Sequence, residues 1–188
     1  QAFGAVHEAI VAAGIATALK EVYEFFADCA QASMDFESAM TGVAKTTDFT
    51  DEELAAMSDA IRTMSTQIPA TTQELAAIAE SAGQLGIHKE SLLDFTETMA
   101  MLGTATNMTA DEAATSLSRL ANITGMSQGD FDRLGATIVD LGNNLATTEK
   151  EIVDMSMRIA GAGAQVGMTE AEIMSCSGAL SSVGIEAE

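Results

Sequence analysis

One hydrophobic skeleton is written twice in this chain of 188 residues, 77 positions apart. Leu54, Met57, Ile61, Met64, Ile68, Leu75 and Ile78 return as Phe131, Leu134, Ile138, Leu141, Leu145, Ile152 and Met155. The opening steps of each copy run three, four, three, the spacing of one apolar face on an α-helix. The echo extends upstream, where Met40 and Val43 pair with Leu117 and Leu120, and Thr47 with Thr124. A duplicated helical skeleton constrains the chain to a scaffold first, and any chemistry must be argued against that background.

The apolar residues agree. There is no Trp, one Tyr and seven Phe, while 12 Met join Ala, Leu and Ile at the apolar positions. Ala, Leu and Met favour helices, and aromatic and β-branched strand formers are scarce. A single proline, Pro69, leaves almost every segment free to be helical. The expectation is an all-α fold of about seven to eight helices. They would form a helical bundle of two repeats of about 77 residues, 36–112 and 113–188, preceded by a long N-terminal helix over 1–35. The repeats are expected to pack as one domain.

Helix starts are marked by capping boxes, in which a Thr and a Glu three residues later satisfy two orphan backbone donors together. Five occur: Thr50/Glu53, Thr71/Glu74, Thr109/Glu112, Thr148/Glu151 and Thr169/Glu172. Glycine just past the last apolar position marks the stops, at Gly86, Gly103, Gly125, Gly142 and Gly184. Helices are expected at about 5–44, 51–67, 72–85, 89–102, 110–123, 128–141, 148–161 and 170–183. In the first of these Phe36, Met40 and Val43 form the last apolar stripe, and Phe25 with Phe26 anchors the middle. The second copy is longer by four residues, about one helical turn, within Gly161-Ala162-Gly163-Ala164.

Charge narrows function. Eight basic residues face 28 acidic ones, a formal net charge of −20. Nucleic-acid affinity needs Lys and Arg to displace counterions from phosphates, and anionic membranes need the same, so both partners are disfavoured. The charge reads as a means of keeping an Ala- and Met-rich helical protein soluble. Cys29 and Cys176 stand far apart without a CxxC partner, which fits a reducing compartment or two buried thiols. The apolar run Ala9–Ala18 is too short to span a bilayer. A start at Gln1 without Met and an end at Glu188 suggest a piece of something longer.

Each motif that tempts a chemical reading has a plainer one. Gly125-Met126-Ser127-Gln128-Gly129 matches GxSxG, but a nucleophile elbow needs a strand before it and a histidine after it. Both histidines, His7 and His88, precede Ser127, which reads as the N-cap of the helix carrying Phe131 and Leu134, with Asp130 at its third position. Gly161, Gly163 and Gly167 follow a helix rather than a strand, so they read as a hinge or close helix contact, not a dinucleotide cradle. Two lone histidines make no zinc site; His88 reads as a helix-start residue. Asp51-Glu52-Glu53 complements a helix macrodipole. Asn107-Met108-Thr109 and Asn122-Ile123-Thr124 would be glycosylated only in a secreted protein. The methionines fall mostly on the apolar stripes and read as core. No catalytic residue, cofactor or metal ligand is expected, and the chain is not expected to be an enzyme.

A succession of short strings resembles one known family. Phe36-Glu37-Ser38-Ala39-Met40 and Val43-Ala44-Lys45-Thr46-Thr47 look like the opening of the core region of phage tail tape measure proteins. Gly83-Gln84-Leu85-Gly86-Ile87, then Ser118-Arg119-Leu120 to Asn122-Ile123-Thr124, then Leu141-Gly142-Asn143-Asn144, follow in the same order. So do Thr148-Glu149-Lys150-Glu151-Ile152 and Gly184-Ile185-Glu186-Ala187-Glu188. The likeness is to the type found in long non-contractile tails and related prophages, and covers about residues 30–188. It implies a structural virion protein that sets tail length during assembly and takes part in genome ejection into the host. The implied partners are the tail tube protein and tail assembly chaperones, with self-association in the tail lumen. No specific nucleic-acid binding is implied, and host membrane contact belongs to the full-length protein rather than to this segment. The implied places are the tail lumen and, during assembly, the host cytoplasm. The rival expectation is a helical-repeat adaptor that binds a partner protein without catalysis.

Overall fold

The computed structural model describes residues 2–185, with side chains from residue 17 onward apart from Ala18. Eight α-helices follow one another among the described residues: α1 Ala2–Thr46, α2 Asp51–Met64, α3 Thr72–Gln84, α4 Lys89–Ala105, α5 Ala110–Thr124, α6 Phe131–Asn144, α7 Glu149–Gln165 and α8 Glu170–Ser182. No strand accompanies them among those residues, and the all-α expectation holds.

All five capping boxes form in both directions. Each Thr sits in extended backbone and its hydroxyl accepts the Glu N–H, while the Glu carboxylate accepts the Thr N–H at 2.7–2.9 Å. The start at Ser127 differs from expectation. Its hydroxyl accepts from Gly129 and caps a 3₁₀ turn, Gln128–Asp130, and α6 begins only at Phe131.

The stops divide in two. Gly86, Gly125 and Gly184 adopt left-handed backbone at helix ends, and Gly167 joins them. At all four the N–H of the next residue reaches back five residues, as in Ile87 to the Ala82 carbonyl and Met168 to Gly163, both 3.0 Å. Gly103 and Gly142 do not stop their helices, because α4 and α6 run on to Ala105 and Asn144. Their lack of a side chain serves close approach instead. A Cβ on Gly103 would lie 2.9 Å from the Ala110 nitrogen, and one on Gly142 would lie 2.6 Å from Glu149 Cγ. In each case the next helix begins on top of the glycine.

Near Pro69 the helix ends earlier than expected, at Met64 rather than near Gln67. The Ser65 and Thr66 hydroxyls donate to the Arg62 and Thr63 carbonyls at 2.8 and 2.7 Å, and the residue before a proline is pushed out of helical backbone. The four-residue excess of the second copy becomes one further turn of helix. α7 has 17 residues where α3 has 13.

Contacts divide the chain into two compact units at Ser38 and Ala39. In the first, residues 19–35 of α1 are exposed throughout. Phe25 and Phe26 meet edge to face with centroids 5.8 Å apart, yet both stay exposed. They do not anchor the middle of α1 as expected.

The second unit is a two-layered stack. α2, α4, α6 and α8 lie side by side in one layer, and α3, α5 and α7 form the other. The 77-residue echo resolves into a shorter period. α2, α4 and the turn before α6 start 38 and then 39 residues apart, and so do α3, α5 and α7. The intermediate copy is Leu92, Phe95, Met99 and Leu102, all buried. Phe95 meets Phe131 of the following copy at 4.7 Å, ring edge to ring face. The core runs through the stack in Ile61, Leu75, Leu92, Leu117, Ile138 and Ile152. Met40, Met57, Met64, Met99, Met108, Met155 and Met174 are buried as core residues. The thiols are not: Cys29 and Cys176 are both exposed, Cys176 because α8 turns Ile173, Met174, Ser177 and Gly178 inward instead.

Chemical denaturation of point variants reads these terms. Leu117→Ala empties a fully buried site and is expected to cost about 2–5 kcal/mol, and Thr148→Ala, which removes a cap, about 1 kcal/mol. Ser118 is buried in α5 with a hydroxyl that finds no hydrogen-bond partner. Ser118→Ala is therefore expected to raise stability, by up to about 1 kcal/mol.

Candidate functional site

The densest polar geometry lies at the helix starts of the second unit. Neighbouring helices within a layer begin side by side, and ion pairs cross between their first turns. Lys89 Nζ of α4 meets Glu53 Oε1 of α2 at 2.7 Å, and Lys150 Nζ of α7 meets Glu112 Oε1 of α5 at 3.0 Å. Arg133 of α6 reaches Glu170 of α8 at 3.5 Å. A cation in the first turn of a helix opposes the macrodipole, so Lys89 and Lys150 are locally misplaced. Each is offset by the capping carboxylate of the helix beside it.

Side-chain amides and carbonyls complete these junctions. Gln128 accepts the His88 N–H at 2.7 Å and donates to the Gly86 carbonyl at 3.1 Å, closing the turn between α3 and α4. Asn107 accepts the Lys150 N–H at 3.1 Å. Sequence reasoning reads Gln128 only as part of GxSxG and Asn107 only as a glycosylation acceptor. The usable signal is the period, because each contacts a turn about one helix pair away along the chain.

The motifs weighed for chemistry fall apart in space or into structural duty. Ser127 caps its turn, and His88 is the N-cap of α4 without a side-chain cap bond. The side chain of His7 lies outside the described residues. Gly163 gives close contact rather than a hinge, since a Cβ there would lie 2.9 Å from Ile173 Cγ1. The acidic run Asp51-Glu52-Glu53 is the first turn of α2. Among the described residues no group of three or more His, Cys, Asp or Glu is placed to hold a metal ion, and no helix is long and apolar enough to cross a membrane.

A groove of about 530 Å³ lies between α4 and α6, lined mostly by apolar groups that include Met101, Leu102, Ala136 and Val139. Two of its polar members are already engaged. The Thr98 hydroxyl donates to the Asp94 carbonyl at 2.9 Å, and Asp140 accepts from Asn144 at 3.0 Å. The buried hydroxyls of Thr96, Ser156 and Ser177 likewise donate to carbonyls four residues back. None of these groups pairs a nucleophile with a base.

The capping carboxylates carry the electrostatic signature. The Lys89 ammonium and then the Thr50 N–H hold Glu53 below the usual carboxylate range. At Glu112 the Thr109 N–H leads and Lys150 follows. Glu74, Glu151 and Glu172 are lowered chiefly by the backbone N–H of Thr71, Thr148 and Thr169. Lys89 and Lys150 are raised in turn by their Glu partners. A carboxylate lowered in the folded state stabilises it fully above the unfolded range, near about pH 4.3, and loses that effect as pH falls through the folded value. Thermal unfolding followed from neutral pH downward is therefore expected to show a modest loss of stability at acid pH, smaller in Glu53→Gln and Glu112→Gln. An unchanged loss in both variants would contradict this assignment.

A junction network of this kind binds helices to helices, which is a structural duty. Comparison with known proteins points the same way. Neither the curated proteins nor the solved structures include a significant match. The model of one family, described as phage-related minor tail protein, matches residues 58–188. That stretch holds α3 to α8 and most of the helix-start junctions of the second unit. The chain belongs to the family of phage-related minor tail proteins.

Proposed function

We propose that this chain is a helical segment of a tail tape measure protein, one that sets tail length during assembly and later takes part in genome ejection. The observation that carries the reading is the coincidence of the minor tail family match with an extended stack of capped helices. Two further features support it. Four of the ordered strings that resemble tape measure cores, those over 83–87, 118–124, 141–144 and 148–152, fall on α3, α5, α6 and α7 or their caps. The net charge of −20 suits a body packed in a tube that DNA must later traverse without adhering.

In this reading the segment works as a spacer and filler of the tail lumen rather than as a catalyst. Its partners are the tail tube protein around it and the assembly chaperones that deliver it in the host cytoplasm. Length determination makes a direct demand, since removing chain must remove tail. An in-frame deletion of residues 51–184 from the parent gene is expected to give shorter tails in electron micrographs. Tails of unchanged length would count against ruler duty for this segment.

A further inference from the structure

The groove between α4 and α6 combines shape and charge in a way that neither the family match nor the ruler reading explains. Asp94, Thr98, Met101 and Ala105 step along α4 by four, three and four, and none of them is buried. One period on, Asp132, Ala136, Val139 and Asn143 repeat those steps along α6, again unburied. That spacing keeps each set on one helix face, so two matched stripes form the walls. Each stripe covers about 16 Å of helix, or three turns. Leu102 and Gly135, both buried, line the floor. A Cβ at Gly135 would lie 3.0 Å from Thr98 Cγ2, so glycine lets the walls approach without filling the trough. Met101 stands beside it 54 % exposed.

Charge sets this groove apart from its neighbours in the same layer. Lys89–Glu53 bridges α2 and α4, and Arg133–Glu170 bridges α6 and α8. Among the described residues no ion pair crosses from α4 to α6. Instead Asp94 and Glu97 on α4 stand against Asp132 and Asp140 on α6. No Lys, Arg or His lines the trough or its continuation toward the turn before α6. Arg133, next to Asp132, pairs with Asp130 and Glu170 instead. Carboxylates on both walls favour whatever brings cations between them.

An apolar trough three turns long with acidic walls fits an amphipathic helix whose apolar stripe is flanked by Lys or Arg. The stripe would rest on Met101, Leu102, Ala136 and Val139, and its cations on the four carboxylates. No helix of this chain offers such a face, because its eight basic residues are spread so that none holds more than two. A second copy would bring acidic faces to acidic walls. We propose that the α4–α6 groove is a docking site for a cationic amphipathic helix of a partner protein. The site stands whether or not the chain measures tails.

Fluorescence anisotropy with three labelled designed helices of about 18 residues tests it. One is amphipathic Leu/Lys, one is Ala/Lys with the same charge, and one is Leu/Glu. The 188-residue chain is expected to bind the Leu/Lys helix at least about tenfold more tightly than either of the others. Glu97→Lys/Asp132→Lys on the walls and Met101→Lys at the apolar surface should each weaken that binding at least about tenfold. Glu21→Lys/Asp28→Lys on α1 makes the same change of net charge as the wall variant and should alter binding less than about twofold. A retained thermal transition in each variant excludes misfolding as the cause. No binding of the Leu/Lys helix at about 0.1 mM protein would overturn the proposal, as would equal binding of the Ala/Lys helix. Equal weakening by the α1 variant would overturn it too, by reducing the attraction to diffuse charge. A parent that dimerises in sedimentation equilibrium, and that Met101→Lys makes monomeric, would give the groove to a second copy and likewise overturn it.

Discussion

A helix pair of about 38 residues cannot bury its own apolar face, and the second unit is the consequence. Chains below about 40 residues rarely hold a core unaided, so each pair here completes its burial against the next. Leu92 and Leu117 in the middle pair and Ile138 in the third are fully buried because neighbours lie on both sides. Phe95 against Phe131 is the same dependence seen at one contact between successive pairs. Everything else in the unit serves to keep the pairs in register.

Two devices hold that register. Capping boxes close the turns before α2, α3, α5, α7 and α8 and fix where those helices start. Beyond them, Gly103 lets α5 begin against the last turns of α4 at a distance any side chain would prevent, and the Glu149 side chain of α7 lies over Gly142. The ion pairs Lys89–Glu53 and Lys150–Glu112 then tie neighbouring starts together. They are partly exposed, so their direct contribution is small. Their interest lies in specificity: each lysine is unfavourable in its own helix and is tolerated because the neighbour's capping carboxylate faces it.

Much of this is legible in the residues, and the exceptions are instructive. Apolar spacing and Thr/Glu caps locate every helix of the second unit, because those signals are local. The 77-residue echo is visible, but its halves are not: the middle copy replaces Ile68 and Ile78 with Thr106 and Ser116, so only the stack reveals it as a copy. Gly103 and Gly142 look like stops in sequence, since close approach and left-handed backbone demand the same residue. The junction contacts of Gln128 and Asn107 are hidden because they join residues about 40 positions apart. Phe25 and Phe26 read as anchors because aromatic residues usually lie inside; here they remain on an open face.

A stack of pairs joined end to end is an extendable body, and its polar groups are spent on caps, turns and carbonyls rather than on a reactive site. That is the physical basis for proposing that this minor tail family member is a lumen component of the tail. Protease treatment of intact tails from the phage that encodes the chain, followed by mass spectrometry, tests this proposal most directly. Peptides from residues 39–185 are expected to stay uncut until DNA release is triggered, and then to be cleaved or lost. Cleavage of the same peptides in intact, DNA-filled tails would place the segment on the outside and contradict it.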